Sequence, residues 1–374
     1  MFKHISRILL GLTFIFSGFV KGIDPLGSTY KFTDYFNAFQ MPWFTDLAFA
    51  LGIFLAAAEF LLGTAFLFNF FIRITSWFML AFMVFFTGLT LVIALTNPVT
   101  DCGCFGDALI ITNWQTFYKN IVLLALAIFV FMQRKNFRSK NGPVLSVALT
   151  GMTMVFYFYL VSYSYHHLPI IDFSPYKVGV NIPEAMKIPD GAAKDIYENN
   201  LIYKNLKTGE EKEFTEANYP WQDTLNWKFV KMAEQKLIQK GYKPPIHDFR
   251  IETPEGEDIK DFFLYDEKGT FVVVAYNLLK SDKEGMKKIT QFAVEAKRKG
   301  YNFITLTATS PDNIDAFKAE TGADFDFFNT DEITLKTIVR SNPGLLLLKK
   351  GTIIGKYHFN TIPKPEELDD QIPK

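Results

Sequence analysis

Cysteine is almost absent from this chain. There are two in 374 residues, and both fall between Asp101 and Asp107. That rules out a fold stapled by several disulfides. Histidine is also scarce, with five residues, and none is spaced to complete a set of ligands with the cysteines. Net charge is lacking too: 39 basic residues balance 39 acidic ones. A basic footprint for nucleic acid is therefore missing, and no nucleic-acid partner is expected. Beyond His167 no apolar run is long enough to cross a bilayer. What the chain does have is phenylalanine, 40 residues concentrated in the first half, and long apolar runs there.

A helix crosses a bilayer with roughly 20 mostly apolar residues. Five segments qualify: Ile5–Val20, Leu47–Ile72, Thr75–Leu95, Phe117–Met132 and Val144–Tyr163. The first has a short basic start, Lys3 to Arg7, followed by an apolar stretch, as a signal peptide would. No small-x-small cleavage site follows it, and it is read as an uncleaved helix. Lys3 and Arg7, then Arg73, then Arg134, Lys135, Arg138 and Lys140 all fall on one side of a five-span protein, which is the cytoplasmic side. The loop Lys21–Asp46, the cysteines and everything after about Tyr165 then lie on the other side, where thiol–disulfide chemistry is normal.

Residues 1–165 form the membrane bundle, 166–247 a connecting region and 248–374 a separate domain. The connecting region holds a hairpin signal, Leu201–Leu206 against Lys212–Thr215, and helical spacing over Asp223–Lys240 through Leu225, Phe229, Met232 and Leu237. In the last domain, apolar strands at Phe271–Tyr276, Phe303–Thr307 and Phe325–Phe328 alternate with helices at Asp282–Lys299, Pro311–Glu320 and Asp331–Arg340. Leu345–Leu348 and Thr352–Phe359 close it as a hairpin. The order is that of an α/β domain.

That order, with Arg340-Ser-Asn-Pro343 just before the hairpin, resembles the thioredoxin-like fold over Asp248–Phe359. The resemblance implies a cis-proline loop at Asn342-Pro343. It also implies a Cys-x-x-Cys after the first central strand. Here that place reads Asn277-Leu-Leu-Lys280, and the domain has no cysteine. Binding a client segment is the role left to it.

Cys102 and Cys104 flank Gly103, which is free to take positive φ. A tight turn there brings the sulfurs together, whereas a straight strand points them apart. Three readings stand: a redox pair, an inert or structural pair, and two soft metal ligands. So short a ring closes almost no loop and stabilises little, and labile disulfides tend to be the catalytic ones. Asp101 and Asp107 are placed to anchor the turn through backbone N–H groups, and their charge is expected to raise the thiol pKa values.

Glu59 is a carboxylate in mid-span, a functional candidate by default. Gly52, Ala56, Glu59 and Gly63 share a face, as do Gly11, Ile15, Gly18 and Gly22 in the first span. Small residues allow close approach, which sets Glu59 against the first helix with Ser17 and Thr13 as candidate partners. Its readings are a protonated side chain bonded to a neighbouring helix, a proton relay, or the polar end of a quinone-like pocket. Lys21 and Asp24 read as snorkelling and turn residues, and His166-His167 as an interface pair. Tyr157, Tyr159, Tyr163 and Tyr165 read as an aromatic belt.

Gly11-Leu-Thr-Phe-Ile-Phe-Ser-Gly-Phe-Val-Lys21, Ala58-Glu59 with Gly63, and above all Asp101-Cys-Gly-Cys-Phe-Gly106 resemble the DoxX / methylamine-utilisation protein E (MauE) group of membrane proteins. The resemblance implies maturation of a disulfide-rich periplasmic enzyme alongside a thioredoxin-like partner. The expected protein is a multi-pass bacterial inner-membrane helical bundle followed by a periplasmic α/β thioredoxin-like domain. It would handle thiol–disulfide redox of a non-cytoplasmic client, or its maturation, as a thiol-disulfide oxidoreductase. Cys102, Cys104 and Glu59 are the catalytic candidates, with Asp101, Gly103, Asp107, Asn342 and Pro343 supporting them. No metal is expected, and a membrane quinone is the candidate electron acceptor. The competing readings are a non-enzymatic membrane scaffold and a small-molecule transporter built on Glu59.

Overall fold

The computed structural model describes residues 1–137, 142–233, 235–239 and 241–371. Arg138 and Lys140 of the basic loop, and Lys240, lie outside the described residues.

Among the described residues, six α-helices open the chain: α1 (Phe2–Ile23), α2 (Pro25–Ala38), α3 (Ala48–Phe68), α4 (Ile72–Thr96), α5 (Asn113–Met132) and α6 (Pro143–His166). Among the described residues, five stretches are long and apolar enough to cross a membrane, formed by α1, α3 with its lead-in turn, α4, α5 and α6. This is a multi-pass membrane protein. Lys3 donates to the Asn136 carbonyl at 3.1 Å and Arg7 to that of Leu67 at 3.0 Å. The basic N-terminus and the ends of α3 and α5 therefore share one end of the bundle, while Lys21 and the cysteine loop occupy the other.

The facing glycine stripes do what small residues allow. A Cβ on Gly63 would sit 2.5 Å from the Ile15 amide nitrogen and 2.8 Å from the Gly11 carbonyl oxygen, and one on Gly18 would sit 2.6 Å from the Phe60 nitrogen. These are backbone atoms of α1 and α3, and they have nowhere to go. Gly63→Ala is expected to destabilise the detergent-solubilised protein by about 1–3 kcal/mol. A thermal melt checks this, and an unchanged midpoint would mean the helices separate freely.

Two sequence readings are corrected here. Lys21–Asp46 is not a plain loop. Asp24 caps α2 by accepting from the Gly27 amide at 2.8 Å, Pro25 supplies a ready-made first-turn φ, and the helix packs on α3. Tyr157 is not in an aromatic belt: it is buried in the bundle and donates to the Gly18 carbonyl at 3.2 Å.

Residues 182–247 form a compact unit of their own. It comprises α7 (Ile182–Ala185) and the strands β1 (Ile196–Glu198), β2 (Asn200–Asn205), β3 (Glu211–Thr215), β4 (Trp227–Met232) and β5 (Lys236–Gln239). β1 pairs with β5, and the order of the other sheet is β3-β2-β4. The expected hairpin is β2–β3, with Asn200 opposite Thr215. The expected helix over Asp223–Lys240 is instead β4 and β5. Phe229 sits across from Tyr203 on β2, with ring centroids 5.6 Å apart, and cross-strand aromatic pairing outweighs the helical spacing.

Residues 1–181 and 248–374 make up the other unit. Its C-terminal lobe holds α8 (Lys260–Leu264), β6 (Thr270–Val274), α9 (Lys283–Arg298), β7 (Asn302–Thr307), α10 (Ile314–Thr321), β8 (Asp326–Asn329), α11 (Glu332–Ile338), β9 (Gly344–Lys349) and β10 (Thr352–His358). The sheet order is β10-β9-β6-β7-β8; β6, β7 and β8 run parallel, and β9 and β10 are antiparallel additions. β6 and β9 are continuous apolar runs because both are central in the sheet. Phe271, Val273, Leu345 and Leu347 pack with Ile289 and Phe292 of α9 as the core. The chain leaving α6 is tied to this lobe by a buried Lys356, whose ammonium lies 2.6 Å from Asp172. The Asn342–Pro343 bond, between α11 and β9, is cis.

Candidate functional site

The cysteine loop runs from α4 to α5. Asn97 ends α4 in the left-handed region, and the Asn113 side-chain amide donates to the Asn97 side chain and the Val99 carbonyl, both at 2.8 Å. The two ends of the loop are thereby fixed. Asp101 turns the chain by accepting from the Gly103 amide at 2.9 Å. Gly103 has φ +63°, and a Cβ there would lie 3.1 Å from the Lys31 side chain. Backbone and neighbour both require glycine. The turn places the sulfurs of Cys102 and Cys104 2.8 Å apart as free thiols.

Three helices hold this loop. From α2, Lys31 pairs with Asp101 at 2.8 Å and the Tyr35 hydroxyl donates to the Cys102 carbonyl at 2.8 Å. From α5, the Lys119 ammonium stands 4.2 Å from the centre of the Phe105 ring. From α1, Ser17 Oγ lies 2.8 Å from the Cys104 carbonyl oxygen and 2.8 Å from Glu59 Oε2, so its one proton serves one of them at a time. Lys21 closes the cluster, with Nζ 2.8 and 2.6 Å from the two Glu59 oxygens and 3.0 Å from Ser17 Oγ. Side chains of this pair are 10% and 8% exposed, so the charges are largely removed from water and depend on each other.

The two thiols are inequivalent. The hydrogen bond shared with Cys102, together with Lys119 and Lys21, favours Cys104 as the thiolate and lowers it against the opposing effect of burial. The same bond, and then burial, push Cys102 well above its ordinary value. Burial followed by the proximity of Cys102 raises Tyr35, keeping it a donor.

This corrects several sequence expectations. Asp101 does anchor the turn, but Asp107 does not. Its carboxylate faces Arg340 of the lobe at 2.8 Å. Cations hold both carboxylates, Lys31 that of Asp101 and Arg340 that of Asp107. Lys21 is no snorkelling residue but the partner of Glu59. Ser17 meets Glu59 as expected, whereas Thr13 bonds its own helix at the Leu9 carbonyl. Asn342 and Pro343 do not touch the cysteines. The Asn342 amide donates to the Asn277 carbonyl at 2.9 Å, joining the proline loop to the turn where the resemblance would place a dithiol.

Lys31, Tyr35, Lys119 and Arg340 were not found from sequence. Lys21 carried a usable signal, since it lies one turn beyond Ser17 on the stripe that faces Glu59. The others come from separate elements and share no spacing with the cysteines.

The profile of the family described as methylamine utilisation protein MauE matches residues 1–133, which include α1 through α5 and the whole cysteine loop. The membrane part is MauE-like. A second profile, a domain of unknown function designated DUF8463, matches residues 197–240. The chain is 29% identical over 173 residues to Protein TlpB of Flavobacterium psychrophilum, across 42% of this chain and 44% of that protein. The chain thus spans less than half the length of this relative. No solved structure matches. The MauE-like part contains Cys102, Cys104, Glu59, Lys21 and Lys119, whereas Arg340 lies outside it.

Proposed function

We propose that the MauE-like part is a membrane thiol–disulfide exchange protein acting on a client outside the cytoplasm. The observation that carries this reading is a pair of free sulfurs 2.8 Å apart on a glycine turn, with Lys119 and Lys21 near Cys104 to favour it as the thiolate. A thiolate of low pKa is the better leaving group. In the disulfide form, a client thiol gives its proton to solvent and the resulting thiolate attacks Cys102. A client–Cys102 bond forms, the Cys102–Cys104 bond breaks and Cys104 leaves as thiolate. The second client thiol gives up its proton and attacks the client sulfur, and Cys102 departs and takes up a proton. The client loses two electrons and two protons. The pair gains two electrons and one proton, and the other proton goes to solvent.

A membrane quinone is the acceptor we propose for the return. It takes two electrons from the pair, one proton from Cys102 and one from solvent, leaving quinol and a disulfide. The C-terminal lobe is read as thioredoxin-like, supported by its parallel strands, closing hairpin and cis-proline loop. Its periplasmic placement is supported by the basic residues at the bundle end away from the cysteines.

Trapping thiols in growing cells tests the reading. Acid quenching followed by a maleimide of known mass is expected to show a mixture of oxidised and reduced pairs, moving to fully reduced when quinone synthesis is blocked. A pair that stays in one state under both conditions overturns the reading.

A further inference from the structure

Arg340 lies in the lobe, two residues before the cis bond, yet its partners belong to the bundle. Its Nε stands 3.0 Å from both oxygens of Asp24, its Nη2 is 2.8 Å from Asp107, and its Nη1 donates to the Lys336 carbonyl. Only 10% of the side chain is exposed. Asp24 is the cap of α2, the helix that carries Lys31 and Tyr35 to the loop. Asp107 sits just after the loop's second glycine turn at Gly106. One guanidinium thus ties the start of the helix behind the sulfurs to the end of the loop bearing them. The contact continues beside it: the Tyr30 and Tyr276 rings meet edge to face at 6.4 Å, with the Lys336 ammonium 5.2 Å from the centre of Tyr30.

We propose that Arg340 is a positioning residue for the cysteine pair, a brace through which the C-terminal lobe holds the loop in the geometry that keeps Cys102 and Cys104 adjacent. This rests on the exchange reading above and adds a role for the lobe. Burial works against the arginine's charge, and Asp24 and Asp107 more than offset it, so the guanidinium stays charged. A lysine is a poor replacement, because a single ammonium does not present a fork to two carboxylates.

The test uses the full chain in nanodiscs, with thiols reduced and labelled by a membrane-impermeant maleimide across pH. Arg340→Ala is expected to raise the limiting labelling rate at high pH several-fold and to move the lower pH midpoint up, as the loop drifts from the groups facing Cys104. Those groups are Cys102, Tyr35, Lys119, Lys21, Glu59 and the Lys31–Asp101 pair. Arg340→Lys should fall between parent and alanine. Lys283→Ala, which breaks an exposed pair with Glu320 on the lobe surface, should match the parent. If Arg340→Ala does not accumulate, Asp107→Asn removes half of the brace and supplies the same readout. A rate and midpoint equal to the parent's in the variant that accumulates overturn the brace. Labelling needs no client, so a protein that shows the Arg340 effect but exchanges with no dithiol would overturn only the exchange reading.

Discussion

Cys102→Ser and Cys104→Ser are each expected to abolish oxidation of a synthetic dithiol peptide, down to the rate of the peptide alone, and the double variant to be no worse than either. One sulfur cannot accept two electrons, so the pair acts as a unit and the losses do not add. The assay mixes oxidised full-length protein in detergent with the reduced peptide and follows the peptide disulfide by mass. A second readout separates this from a general loss of fold. In Cys102→Ala, which leaves no donor at that position, the remaining thiol loses the hydrogen bond that contributes most to its acidity. Its labelling midpoint should climb from about 6 toward the ordinary thiol value of about 8.5. With the folded pKa depressed, the thiolate's contribution to stability is present above the ordinary value and is lost as pH falls through about 6. The parent should therefore lose stability across that window, and the Cys102→Ala variant should lose less. Either single variant oxidising the peptide at the parental rate would end the exchange reading.

Lys21→Met is expected to be the most destabilising single change in the bundle. It leaves the Glu59 carboxylate buried with only Ser17 for company. Removing one member of a buried pair costs about 3–5 kcal/mol, whereas replacing both is close to neutral. Glu59→Gln should cost less than Lys21→Met, because Lys21 is near the end of α1 and its flexible chain can reach water. Combining Lys21→Met with Glu59→Gln should recover most of the loss. Denaturant titration in detergent gives all four values, and a double variant as unstable as the sum of the singles would show that the two side chains do not depend on each other. If stability recovers while peptide oxidation does not, the pair also serves the sulfurs.

The spans were legible because hydropathy over a bilayer's length is a strong, local signal, and so were the glycine stripes, since close backbone approach leaves a pattern along one helix. The alternation of strands and helices after Asp248 could be read for the same reason. The α2 helix was not, because Pro25–Ala38 mixes polar and aromatic residues without a stripe and owes its place to a cap and to packing on α3. In the connecting segment Phe229 and Met232 also fit a helical period, and the pairing of β4 with β2 decides for strand. Most of the site was hidden for a different reason. Lys31 and Tyr35 reach the cysteines from another helix, and Arg340 meets Asp107 across 233 positions of sequence. Nothing in the local order of residues records such a meeting.

That separation has a consequence for how the protein is made. Chains grow at about 5–20 residues per second. The loop that ends at Asp107 therefore emerges roughly ten to fifty seconds before the arginine that meets it. For that interval the turn carrying the sulfurs is held by α1, α2 and α5 alone, and the contact from the lobe is added once Arg340 has emerged.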